Sequence, residues 1–373
     1  MKKVIVIGAG ILGSSAAYHL AKKGAEVIMI DKCHQGQATA AGAGIICPWI
    51  SNVDDPDWYR MSKAGALYYP SLISQLKEDG EEDFGYSQVG ALSVSNDPEE
   101  LDKIEQKVRQ RKMNTPEVGD ISRLTAEEAR RLFPPLREDL AAVHVTGAAR
   151  LDGRLLRDAL QCAAKKHGAE YKAGEARLAV TNGKVTGAYL DNEWISADAA
   201  VVAAGAWTSK LLKPLGVELT VEPQRGQILH IQMPEQDTSQ WPVVLPQSSH
   251  YLLAFADSRV VVGATRETGA GFDYRVTVGG LGEVIREALS VAPGLSAGTM
   301  HEVRIGFRPA GPDILPQLGT VPNISGLVIA TGLGASGLTM GPYVGCLAAK
   351  MTIDEPVEMD LTPYNPVRGI SKV

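Results

Sequence analysis

Met1-Lys-Lys-Val-Ile-Val-Ile-Gly8-Ala-Gly10-Ile-Leu-Gly13, followed after a helical segment by Ala25-Glu-Val-Ile-Met-Ile-Asp31, is the stretch that decides the fold. It reads as an apolar strand, a GxGxxG turn, an amphipathic helix, a second apolar strand and a terminal acid. Gly8 lets the chain turn tightly off the strand, Gly10 lets the backbone approach a pyrophosphate, and Gly13 lets the helix pack on the sheet. The first-turn N–H groups, at Ile11 and Leu12, then face phosphates, aided by the helix dipole. Asp31 falls 18 residues after Gly13, where a carboxylate reaches both hydroxyls of an adenosine ribose, with Lys32 beside it. The unit predicts a dinucleotide site. An acid at this position favours NAD or FAD over NADP, whose extra phosphate calls for an arginine.

The bulk composition sets the outer bounds. The 373 residues are 45% hydrophobic and 21% charged, enough chain for two domains and a large core. A net charge of −6 gives no basic footprint for nucleic acid. No apolar run approaches the length of a membrane span. The short run Val4 to Ile7 opens a strand rather than a signal peptide, so a cytoplasmic protein without a transmembrane segment is expected. Cys33, Cys47, Cys162 and Cys346 have no metal-ligand spacing and are expected to be buried or half-buried free thiols. Neither they nor the seven scattered histidines make a metal site.

Farther along, residues 37–50 are small and glycine-rich, then bulky, a composition that lets backbone lie against a flat ligand. Helices are expected over residues 58–79 and 98–113, after a capping box at Thr125-Ala-Glu-Glu128, over 152–166 and over 279–292. Residues 169–172 read as a short strand. Residues 176–182 and 184–191 read as strands about a turn at Asn182-Gly183. Asp198 to Gly205 is a buried strand ending at a glycine, and ligands of open α/β sheets sit at such carboxyl ends. Residues 217–233, 243–265 and 299–307 alternate like antiparallel strands. Leu327 to Pro342 is a last strand, a glycine-rich turn and the start of a helix. The expected fold class is α/β, in two domains: a Rossmann-like dinucleotide-binding domain (1–85, 145–220 and 318–373) with an inserted antiparallel β-sheet substrate domain (86–144 and 221–317).

Four segments occur in an order that resembles one family. They are Gly8 to Asp31; Thr39 to Gly44; Val201-Val-Ala-Ala-Gly-Ala-Trp207; and Gly306-Phe-Arg308-Pro with Pro312-Asp-Ile-Leu-Pro316, followed by Ala330-Thr-Gly-Leu-Gly-Ala-Ser-Gly337. The chain resembles the D-amino-acid oxidase superfamily of flavoproteins, in its glycine oxidase and sarcosine oxidase branch. The resemblance implies bound FAD. It also implies that no covalent tether forms, since residues 306–330 hold no cysteine. Beyond the glycine motif, it assigns to FAD the segment Thr39, Ala40, Ala41, Gly42, Gly44 and Ile45. It adds Arg177; Ala204, Gly205 and Trp207; and Gly332, Gly334, Ala335, Ser336, Gly337, Leu338 and Thr339, together with Arg308. It further implies a homo-oligomer and molecular oxygen as acceptor. The sequence departs from the pattern at Ala254, Phe255 and Ala335, and at Arg266, where an apolar residue is usual.

An amino-acid substrate needs its carboxylate held, and Arg308 offers the planar fork for it. Tyr251 is placed to add a second hydrogen bond. The expected reaction is oxidative deamination of glycine, sarcosine or a small D-amino acid by hydride transfer from Cα to flavin N5, without a side-chain base. The products are an oxo acid, ammonia or amine, and peroxide. His230, His250 and His301 are read as structural. The PDxxP pattern is also similar to bacterial D-amino-acid dehydrogenases, which leaves a quinone or carrier as the alternative acceptor.

Overall fold

The computed structural model describes residues 1–369; residues 370–373 of the C-terminal piece assigned to the FAD-binding domain lie outside the described residues. The strand Lys3–Ile7 sits between Glu26–Asp31 and Ala199–Val202, parallel to both. Its side chains alternate between two apolar layers. Val4 and Val6 join Val27 and Met29 on one face, and Ile5 and Ile7 join Ile28 and Ile30 on the other. Burial on both faces is why these strands read as unbroken apolar runs. Glu170–Ala173 extends the sheet beyond Glu26–Asp31.

On the opposite side the neighbour comes from far along the chain. Ile324–Thr331 lies parallel to Ala199–Val202, with Val201 beside Val328. Beyond it lies the hairpin Ala176–Thr181 and Lys184–Leu190. That hairpin turns at Asn182 and Gly183, both with positive φ, as a type I′ turn requires. The helices Ile11–Lys22, Gly153–Lys166 and Gly337–Thr352 pack together on one face of this nine-stranded sheet. Asp152 caps the second of them through the N–H groups of Arg154 and Leu155.

A second, eight-stranded sheet runs in the order Thr299–Ala310, Glu222–Gln232, Arg259–Gly263, Tyr251–Phe255, Val243–Pro246, Ala91–Ser95, Ala141–Val145, Ile121–Leu124. The expectation of an antiparallel sheet needs one correction: Val243–Pro246 and Ala91–Ser95 pair in parallel. Two stretches of chain, one before residue 146 and one after 221, meet at that seam. Residues 217–221, expected within a strand, lie outside it. The Ser209 hydroxyl donates to the carbonyls of Leu219 and Val221 and accepts from the Val221 N–H, so this backbone is satisfied without a partner strand. The capping box at Thr125 and Glu128 forms as expected. Cys33 and Cys162 are exposed rather than buried, the first at a positive-φ turn position. No helix among the described residues is long and apolar enough to cross a membrane.

Candidate active site

A cavity of about 1180 Å³ is lined at once by the glycine turn, by residues 37–45, by the ends of the parallel strands, and by Tyr251 and Arg308 from the second sheet. It exceeds the range of roughly 300–1,000 Å³ usual for small-molecule sites, so it has room for a large cofactor with a substrate beside it.

The glycine turn is built by close approach. Gly8 has φ +98, and a Cβ on Gly13 would stand 1.8 Å from the Gly8 carbonyl oxygen. Gly13 therefore docks the helix from behind and does not line the cavity. Asp31 organises the same turn. One carboxylate oxygen accepts the Ala9 N–H at 2.6 Å, and the other accepts from the Cys33 N–H at 2.6 Å and from Gln37 at 2.8 Å. A carboxylate has about four acceptor sites, so Asp31 can hold the turn and still face a ribose. The Ile11 N–H, expected to point at phosphate, instead donates to the Thr39 hydroxyl at 3.0 Å.

Most of the residues expected at a cofactor line the cavity: Gly8, Gly10, Ile11, Leu12, Asp31, Lys32, Thr39, Ala41, Gly42, Gly44, Ile45, Arg177, Ala204, Gly205, Trp207, and 334–339. Ala40 and Gly332 do not. The Ala40 carbonyl accepts from Arg154 at 3.0 Å. Gly332 turns the chain at φ +73 beside Gln317. Trp207 stacks on His34 at 4.4 Å, and Phe272 stacks on it at 4.8 Å. His34 and Phe272 carried no signal in the sequence, because a ring stack assembled from three distant segments has no spacing to read.

Where the second sheet meets the cavity, Arg308 lies on Thr299–Ala310 opposite Gln224. Its Nη1 donates to the Thr265 carbonyl at 2.8 Å. A Cβ on Gly226 would stand 2.8 Å from the guanidinium carbon, so glycine there keeps the space in which Arg308 lies. The Tyr251 phenol oxygen accepts from the Arg308 guanidinium, which leaves its O–H to donate elsewhere. Burial pulls the guanidinium below its ordinary value, opposed by Tyr251. Burial likewise raises the Tyr251 phenol, opposed by the charges of Arg308 and Arg266. The phenol therefore stays protonated at neutral pH and acts as a donor. Among the enclosed arginines, Arg225 holds Glu267 at 2.6 Å and Asp273 at 2.9 Å and Arg259 holds Asp152, whereas Arg111 and Arg150 rest on backbone carbonyls and have no carboxylate among the described residues. Arg308 has none among the described residues.

Of the three histidines, His230 is buried against Arg259 at 3.0 Å and His301 is exposed. His250, read as structural, does line the cavity and lies 3.4 Å from Glu283.

The family model described as DAO, FAD dependent oxidoreductase, matches residues 3–351. The chain belongs to the DAO family. As an FAD-dependent oxidoreductase of this family it is similar, at 50% identity across the whole of both chains, to the uncharacterized oxidoreductase YurR of Bacillus subtilis. Its fold is similar to that of iminodiacetate oxidase from Chelativorans sp. BNC1, with 51% identity, a TM-score of 0.95, and 97% and 98% of the two chains covered. It is also similar to glycine oxidase from Geobacillus kaustophilus, at 25% identity and a TM-score of 0.86 over both whole chains. The DAO-family cofactor fits the residues present. The glycine turn leaves bare backbone where phosphates would lie, and the cavity continues from Asp31 to Arg308 and Tyr251.

Proposed function

We propose that this enzyme oxidises a small amino acid across its Cα–N bond and passes the electrons to oxygen. Glycine, sarcosine and small D-amino acids are the candidate donors. The name of the 51% identical neighbour adds iminodiacetate, an N-carboxymethyl glycine. One observation carries the reading: an enclosed guanidinium, Arg308, faces the cavity beside a phenol donor and has no carboxylate of its own. A charge so placed has a desolvation cost that an anionic ligand offsets.

When bound, FAD supplies the acceptor for the hydride. The chain supplies position. Arg308 grips the carboxylate as a planar fork, anchored through Thr265, while Tyr251 donates from the side. The positive field of Arg308 and Arg266 favours a neutral amine over an ammonium, so the nitrogen lone pair is available as the Cα hydride leaves. The nitrogen then loses its proton, leaving an imine that water hydrolyses to an oxo acid and ammonia or amine. No histidine is assigned as base: His230 does not line the cavity, and His250 is 3.4 Å from Glu283. Four free cysteines suit a reducing compartment, which supports a cytoplasmic location.

The test is anaerobic. Glycine, sarcosine, iminodiacetate, D-alanine and D-proline are added in turn, and the flavin absorbance is followed before and after air is admitted. Bleaching by at least one of them, with rapid recovery and peroxide, is expected. Bleaching with slow recovery and no peroxide would replace oxygen with a quinone or carrier, and no bleaching by any of them would refute the reading.

A further inference from the structure

Arg266 stands out among the cavity-wall cations that hold no ion pair among the described residues, Arg177 and Lys210 included, because its charge acts on Tyr251 and Arg308. Its backbone is fixed on either side. The Thr265 N–H donates to the Gln227 carbonyl at 3.3 Å, and the Glu267 N–H donates to the Arg225 carbonyl at 2.9 Å. The nearest carboxylate in sequence, Glu267, is not available to it. That side chain accepts from Arg225 at 2.6 Å, Gln227 at 2.7 Å and the Thr265 hydroxyl at 2.7 Å. Asp273, a few residues on, is committed to Arg225 and Arg275. Among the described residues Arg266 forms no ion pair or hydrogen bond. Two guanidiniums facing one cavity repel each other, and a monocarboxylate, even one that bridges them, balances only one of the two positive charges. A dianion relieves both.

Resting on the reading of Arg308 above, we infer that Arg266 is a specificity-determining residue that receives the distal carboxylate of a dianionic, N-substituted glycine. Arg308 and Tyr251 hold the carboxylate next to the carbon that is oxidised. Arg266 is the more exposed of the two arginines. It therefore meets the outer end of the substrate and sets which end enters. The substrate class is a short secondary amine with an acid on each arm. Its oxidation removes a hydride from one Cα and a proton from nitrogen, with oxygen as the two-electron acceptor. Hydrolysis of the imine then yields one oxo acid and one primary amino acid.

The test separates binding from turnover. Glutarate has the span of iminodiacetate with a methylene in place of the nitrogen, so it binds without reacting, and butyrate lacks the second acid. Dissociation constants for both are read from the flavin spectrum of the holoenzyme and from the Tm shift. Wild type is expected to prefer glutarate by about tenfold or more. Arg266→Leu is expected to abolish that preference, and Arg266→Lys to keep part of it. With oxidisable donors, the ratio of kcat/KM for iminodiacetate to that for sarcosine is expected to fall about tenfold in Arg266→Leu. Equal binding of the two acids by wild type, or a glutarate preference that survives Arg266→Leu, would overturn the inference. A glutarate preference lost in the variant, without bleaching by any amine, would uphold the dianion site and refute amino-acid oxidation. Bleaching by sarcosine without a glutarate preference would do the reverse.

Discussion

Tyr251→Phe removes one oxygen and keeps the ring, so it isolates the phenol's contribution. In the wild type that phenol is a hydrogen-bond partner of Arg308. Burial lifts it above its ordinary value, so it is a full donor across the neutral range. A hydrogen bond to a charged group is worth about 1.5–3 kcal/mol. At about 1.36 kcal/mol per factor of ten, its loss should weaken substrate binding by about ten- to hundredfold. On the proposed reading the bond to the carboxylate is made both before and during hydride transfer, so its removal should raise KM and leave kcat within about threefold. Arg308 keeps its anchor on the Thr265 carbonyl at 2.8 Å, so the guanidinium should stay in place. The assay is stopped-flow flavin reduction at varied sarcosine without oxygen, with flavin content measured on the same preparation. A saturation constant changed by less than threefold at full flavin content would remove Tyr251 from the carboxylate grip.

Four further outcomes are expected. Arg225→Leu should destabilise the fold by about 3–5 kcal/mol in urea unfolding because it strands Glu267. Arg308→Leu should leave the unfolding midpoint near wild type while kcat/KM for amino acids falls by roughly 2–4 kcal/mol; equal destabilisation by the two would contradict the unpaired state of Arg308. Gly13→Ala places a Cβ 1.8 Å from the Gly8 oxygen, which pushes the helix off the turn, and the purified protein should be flavin-poor; a normal yellow colour would refute the packing role. His19 and His230 are both held down to about 3, chiefly by burial. Above pH 6.5 each is neutral folded and unfolded. Below it the unfolded chain binds protons that the folded chain refuses, so stability falls as pH drops toward 3, by about 2 kcal/mol per histidine at pH 5. Tm measured from pH 7 to 5 should therefore decline less in His19→Gln, and an unchanged slope would dismiss the burial argument.

Local physics made much of this legible. The parallel strands announced themselves because burial on both faces leaves no polar positions along Val4–Ile7 or Val27–Ile30. The turn at Asn182-Gly183 and the cap at Thr125 are one-residue chemistries that tertiary packing left alone. What sequence could not supply is pairing between distant segments. Nothing in Ala91–Ser95 marks it for a parallel seam with Val243–Pro246, and the period-two pattern carried on through 217–221 because Ser209, which satisfies that backbone, lies elsewhere. At the site the residue types were readable, but their electrostatic states were not. Arg308 and Arg225 look alike in sequence, and Arg225 alone is neutralised because Glu267 and Asp273 fold onto it. Arg266 was visible as a departure from the family pattern, but its lack of a partner depends on where Glu267 points.

The strand Ile324–Thr331, seated inside the first sheet, has a consequence during synthesis. The glycine turn leaves the ribosome first, yet the sheet beside it stays open until this strand emerges. At about 5–20 residues per second, the roughly 300 residues separating Asp31 from Thr331 take about 15–60 s to make. For the last roughly 130 residues of it, about 6–26 s at that rate, the apolar edge of Ala199–Val202 has no neighbour on one side, which is a template for mispairing with other chains. The nascent protein needs shelter for its first sheet until Thr331 is out. A chain stalled before residue 324 should be a client for chaperones and proteases rather than a pale flavoprotein.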